Sequence, residues 1–107
     1  MAIDRELLQT IMSIEDLDEL NSFFDEILTP GELADLSLRW KLLQDLYSGM
    51  TQRKIAEKYG ISLCKITRGS KILKKESSVV HKMLEKKKLS VVLQLCLYFP
   101  VYWNLMF

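Results

Sequence analysis

Apolar residues recur at helical spacing along this chain, and polar breaks divide the recurrence into successive candidate helices. Ile3, Leu7, Leu8 and Ile11 form one stripe, and Leu17, Leu20, Phe23 and Phe24 form a second, with Ser13 placed to cap the helix that carries it. Thr29 followed by Pro30 reads as a cap and a first turn, where proline's missing N–H costs nothing. Leu33, Leu36, Trp40, Leu43 and Leu46 then predict one long helix over 32–47, closed by Gly49. Residues 1–88 make a small core for a monomer, so the leucine faces of the first three helices predict burial against a second copy. Packing within one chain is the alternative.

The segment 52–73, QRKIAEKYGISLCKITRGSKIL, carries a different pattern. Ile55, Ala56 and Tyr59 stripe a short helix that Thr51 can cap. Ala56 is small enough for a steep helix crossing, and Gly60 stands where a helix end needs a left-handed residue. Ile61 fits as the apolar plug of the turn and Ser62 as the cap of the next helix. On that helix Ile66, Ser70 and Leu73 share one face, while Cys64, Lys65, Arg68, Lys71 and Lys75 lie away from it. Small residue, glycine, plug and cap at these offsets predict a helix-turn-helix, with Leu63, Cys64, Lys65 and Thr67 at the end that enters a major groove. An ordinary helical corner with a solvated lysine face is the bland alternative.

Charge separates along the chain. Residues 1–48 hold 3 Lys+Arg against 11 Asp+Glu, and residues 49–88 hold 12 against 3, a contrast hidden by the net charge of +1. One strongly basic segment is the footprint of a polyanion. A groove-entering helix without an aromatic stacking platform fits double-stranded DNA better than single strands.

From Leu28 to Leu73 the chain resembles the tryptophan repressor family. The resemblance rests on LTP at 28–30, Arg39 ten residues after Thr29, LYSGMTQRKIA at 46–56 and ITRGS at 66–70, and it weakens before residue 20 and after residue 88. It implies an all-α fold: an intertwined helical homodimer with a helix-turn-helix reading head, gated by L-tryptophan as corepressor. It also implies a corepressor site of Arg39 and Arg68, whose guanidinium planes sandwich the indole, with Leu28 and Thr29 from the second copy and Gly69 at the pocket floor. On the DNA side it assigns phosphate and outer base contacts to Gln52 and Arg53, reading to Leu63, Cys64, Lys65 and Thr67, and phosphate contacts to Lys74 and Lys75.

The chain departs from the family pattern at several places. Ile72 stands where a serine helps to hold the ligand's ammonium, and Glu26 replaces an apolar residue, so discrimination against des-amino indoles is weaker by expectation. Ala56 replaces a lysine of some members and Lys65 a threonine, which shifts the expected operator sequence.

The organisation expected is a helical dimerisation segment over 1–48, the helix-turn-helix and a final helix over 49–88 in the same compact domain, and an apolar tail over 89–107. The final helix is expected from Ser77 or Ser78 to Lys88, with His81 on its surface. The tail, LSVVLQLCLYFPVYWNLMF, approaches membrane-span length but is interrupted by Gln94, Pro100 and Asn104. It reads as a poorly ordered apolar extension, with a tail anchor or packing on the dimer as alternatives. Cys64 and Cys96 form no CxxC pair and His81 is the one histidine, so no metal site, cofactor or disulfide is expected. No residue set suggests catalysis. The acidic, amphipathic start does not read as a signal peptide, which points to the cytoplasm. A constitutive DNA-binding module and a membrane-tethered interaction protein are the competing functional readings.

Overall fold

The computed structural model describes the backbone of residues 2–98 and the side chains of residues 2–89. Among the described residues every regular element is an α-helix: α1 (Arg5–Ser13), α2 (Leu17–Ile27), α3 (Pro30–Tyr47), α4 (Gln52–Tyr59), α5 (Leu63–Lys74) and α6 (Val79–Tyr98). The chain divides into two compact units, Met1–Leu38 and Arg39–Phe107, with the boundary inside α3.

In the first unit each helix start is satisfied locally. Asp4 accepts from the Leu7 amide and Asp16 from the Glu19 amide, both at 3.1 Å. The start of α3 is a reciprocal box, in which Thr29 Oγ1 accepts from the Glu32 amide at 3.2 Å and Glu32 Oε1 from the Thr29 amide at 3.0 Å. Hydrogen bonding to its charged form by Thr29, from the backbone amide first and then the side chain, holds the Glu32 carboxyl below its ordinary pKa. Ser13 does not cap α2 as its position suggests. It is the last residue of α1, its hydroxyl donates to the Thr10 carbonyl at 2.6 Å, and extended Ile14 carries the chain away before Asp16 takes the cap. No residue of α1 or α2 is buried, and Ile3, Leu8, Met12, Leu17, Ile27 and Leu36 are exposed.

The second unit has a core of Leu42, Ile55 and Ile66, with Leu46, Met50, Ala56, Tyr59 and Ile61 packed against it. Ile55 and Ile66 are completely enclosed, which stabilises the unit by about 1.5–3 kcal/mol for each side chain. Leu84 of α6 is also buried. One expectation for α6 is corrected. The helix runs to Tyr98 instead of ending at Lys88, because no glycine or proline interrupts the backbone ladder between them. Its continuation means that the first ten residues of the expected irregular tail are helical in backbone, while 99–107 lie outside the described residues. His81 lies at the surface of α6 as expected, with its side chain 41% exposed, standing edge-on to Tyr47 at 5.4 Å between ring centroids with Nδ1 3.9 Å from Glu85. Buried Ser78 starts the helix by accepting from the His81 amide at 3.1 Å.

Candidate nucleic-acid interface

The helix-turn-helix is built by local chemistry. Thr51 Oγ1 accepts from the Lys54 amide at 3.3 Å and so caps α4. Gly60 closes the helix at φ 62° and ψ 38°, the left-handed region where a side chain is strained, and the amides of Gly60 and Ile61 both return to the Ala56 carbonyl. Ile61 then packs on the core, as the turn plug should. Ser62 occupies the cap position of α5, but its hydroxyl bonds no helix amide, so its backbone alone serves the turn and the exposed first amides of α5 face water.

Gly69 sets how closely α5 lies on α3. A Cβ built there would fall 3.1 Å from Leu46 Cδ1, 3.5 Å from Leu43 Cδ2 and 3.6 Å from Leu42 Cδ2. The space left by the missing side chain is therefore filled by leucines of α3, and the helices approach more closely than most side chains would allow.

A polar clamp fixes α4 to the end of α3. Asp45 accepts from the Tyr59 hydroxyl and pairs with Lys58 Nζ at 3.1 Å, and the ammonium lies 5.0 Å from the Tyr59 ring centroid. The tyrosine hydrogen bond, followed by the lysine, holds the Asp45 carboxyl below its usual value against the opposing effect of burial. Asp45 in turn raises the pKa of Lys58 and that of Tyr59. Nothing in the sequence pattern announces this clamp, since residues 45 and 59 follow no shared helical spacing.

With α5 held on Ile66 and Gly69, its outer face is accessible. Leu63 is 55% exposed, and Cys64, Lys65, Thr67, Arg68, Lys71, Lys74 and Lys75 are all exposed. Leu63, Cys64, Thr67, Arg68 and Lys71 together line an open concavity of about 380 Å³. Of the two α4 residues assigned to DNA, Arg53 is exposed and Gln52 is half-buried beside α5. The Thr67 hydroxyl lies 2.9 Å from the Leu63 carbonyl, to which it donates, and 3.4 Å from Gln52 Oε1. The surface can dock a polyanion, with small side chains between cations at the helix start.

The residues assigned to a corepressor fall in both units. Leu28 is half-buried as the C-cap of α2 and Thr29 is the exposed N-cap of α3 in the first. In the second, Arg39 and Arg68 are exposed, and Gly69 is buried against the α3 leucines. Ile72 is 37% exposed four residues beyond Arg68. No group of His, Cys, Asp and Glu among the described residues could hold a metal ion, and no helix among them is long and apolar enough to cross a membrane.

Comparisons with known proteins agree with this architecture. Residues 4–88 match the family described as Trp repressor protein. A Trp operon repressor homolog of Chlamydia trachomatis is 41% identical over 69 residues, covering 64% of this chain and 73% of that protein. One of Vibrio parahaemolyticus is 31% identical over 91 residues, or 84% of each chain. An uncharacterized protein of Bacillus subtilis, YerC, is 30% identical over 83 residues, covering 78% of this chain and 80% of its own. No solved structure matches the chain. A match that runs from the cap of α1 into α6 and takes in the whole helix-turn-helix assigns the chain to a family of transcriptional repressors: it belongs to the Trp repressor family.

Proposed function

We propose that this chain is a cytoplasmic, tryptophan-dependent transcriptional repressor that binds a palindromic operator as a homodimer, with L-tryptophan as corepressor. The observation that carries the proposal is α5: a helix seated on Ile66 and Gly69 whose outward face sets Lys65, Arg68, Lys71 and Lys74 around exposed Leu63, Cys64 and Thr67. Such a helix presents positive charge to phosphates and short side chains to base edges in a major groove. Gln52, Arg53, Lys74 and Lys75 flank it as phosphate partners. The exposed apolar residues of α1, α2 and α3 are the surface a second copy would cover, and two-fold pairing would set two reading heads at one helical repeat of DNA. L-tryptophan stacked between Arg39 and Arg68 would join the central helix to the reading helix, with Gly69 setting the height of α5 between them.

The test is duplex binding by fluorescence anisotropy with and without L-tryptophan, using an operator selected from random duplexes. Tryptophan should raise operator affinity about 5- to 150-fold, the usual span of allosteric coupling, and operator should raise tryptophan affinity equally. Arg68→Ala should abolish both effects while the chain stays folded. Equal affinity with and without tryptophan, for a protein that still selects its operator, would leave a constitutive binder in place of a ligand-gated one.

A further inference from the structure

Resting on that DNA-binding reading, we infer that the first two turns of α5 read sequence through thymine methyl groups, and that Thr67 contributes its methyl rather than its hydroxyl. Three observations support this. Leu63, an apolar residue at the helix start, is left 55% open to solvent. It shares the outward concavity with Cys64 and Thr67, and Arg68 and Lys71 complete the lining with cations. The Thr67 hydroxyl carries one proton, and the nearest acceptor is the Leu63 carbonyl of its own helix at 2.9 Å, with Gln52 Oε1 farther away at 3.4 Å. That hydrogen bond occupies the donor a base edge would need.

Apart from exposed Lys65, which does not line the concavity, this stretch offers an isobutyl group, a thiol-bearing methylene and a methyl, which together make an apolar strip. In the major groove the one apolar feature that distinguishes the base pairs is the 5-methyl of thymine. Cations on either side of the strip would bind the backbone phosphates and hold it against base edges without reading them. Gln52 is a positioning residue in this arrangement, because its amide oxygen lies beside the hydroxyl and links the start of α4 to α5. Cys64, a weak donor, adds little polar readout.

The experiment uses the full chain with L-tryptophan and an operator selected from random duplexes. Each thymine of a half-site is replaced in turn by deoxyuridine, which removes only the 5-methyl. Affinity should fall about fourfold at each thymine facing the strip, the loss expected for one buried methyl-sized group, and should be unchanged elsewhere. Thr67→Val keeps a methyl without the hydroxyl and should retain the deoxyuridine penalty. Thr67→Ser keeps the hydroxyl without the methyl and should lose it at one position. Deoxyuridine tolerated at every position, or a selected operator without thymine in the contacted steps, would overturn the inference while leaving DNA binding intact. The deoxyuridine series on the unaltered protein decides the matter even where a variant does not fold. If no duplex is selected at all, the DNA-binding reading itself fails, which is a distinguishable result.

Discussion

Replacing Gly69 tests whether the reading helix is held by its close approach to α3. Alanine in the interior of α5 gains about 0.8–1 kcal/mol of helix propensity over glycine. Against this stands one tight contact, since the new Cβ would meet Leu46 Cδ1 at 3.1 Å, inside the 3.5–4.0 Å optimum for carbon pairs. The atom met is the tip of a half-buried side chain and can shift by a few tenths of an ångström. The distances to Leu43 and Leu42, 3.5 and 3.6 Å, are ordinary contacts that add slight attraction. Gly69→Ala should therefore lie between neutral and about 1 kcal/mol more stable. Gly69→Val adds two further carbons beside a Cβ position already within 3.6 Å of Leu46, Leu43 and Leu42, and overpacking of this kind costs about 1–3 kcal/mol. Most of the propensity gain is also lost with a β-branched residue. Urea unfolding should show the valine midpoint about 0.5–2 M lower at unchanged slope. Its operator affinity should fall as α5 is pushed off α3. Valine as stable as alanine would mean that α5 does not lie this close to α3, and the seating assigned to the reading helix would be wrong.

Other perturbations isolate single features. Gly60→Ala should lower stability by about 1–2 kcal/mol in chemical denaturation, because a Cβ there meets open space and the whole cost is the left-handed backbone at φ +62°. Tyr59→Phe removes the principal donor to Asp45. Because Asp45 has a depressed pKa in the folded chain, the stability it contributes is present above its ordinary value of 3.8 and is lost as pH falls through the lower folded value. The gap in unfolding free energy between the parent chain and Tyr59→Phe should thus be constant near neutrality and close on acidification below pH 3.8. A gap that persists in full at pH 2 would contradict the clamp's carboxylate character. Lys74→Ala should weaken binding to all duplexes alike and reduce the slope of log affinity against log salt by about 1, whereas a change confined to the selected operator would make Lys74 a base reader.

The helices and their punctuation were legible in the sequence because they depend on neighbours three or four residues apart. Thr51, Gly60 and Ile61 each do locally what their chemistry dictates, and the alternation of apolar and cationic residues on α5 predicts which side is enclosed. Competition between equivalent local options was not legible. Ser13 and Asp16 are both capable caps, and only the extended turn at Ile14 decides for Asp16. The continuation of α6 past Lys88 was missed because a change in composition, from three lysines to an apolar run, is not a helix stop. Contacts between elements depended on tertiary structure altogether. The clamp of Asp45 on Tyr59 and Lys58, the edge contact of His81 with Tyr47 and the leucines filling the space beside Gly69 join residues with no spacing relation. Periodicity identifies the face a helix buries; which side chains meet there is set by the crossing angle and distance of two helices, and those exist only once the chain has packed.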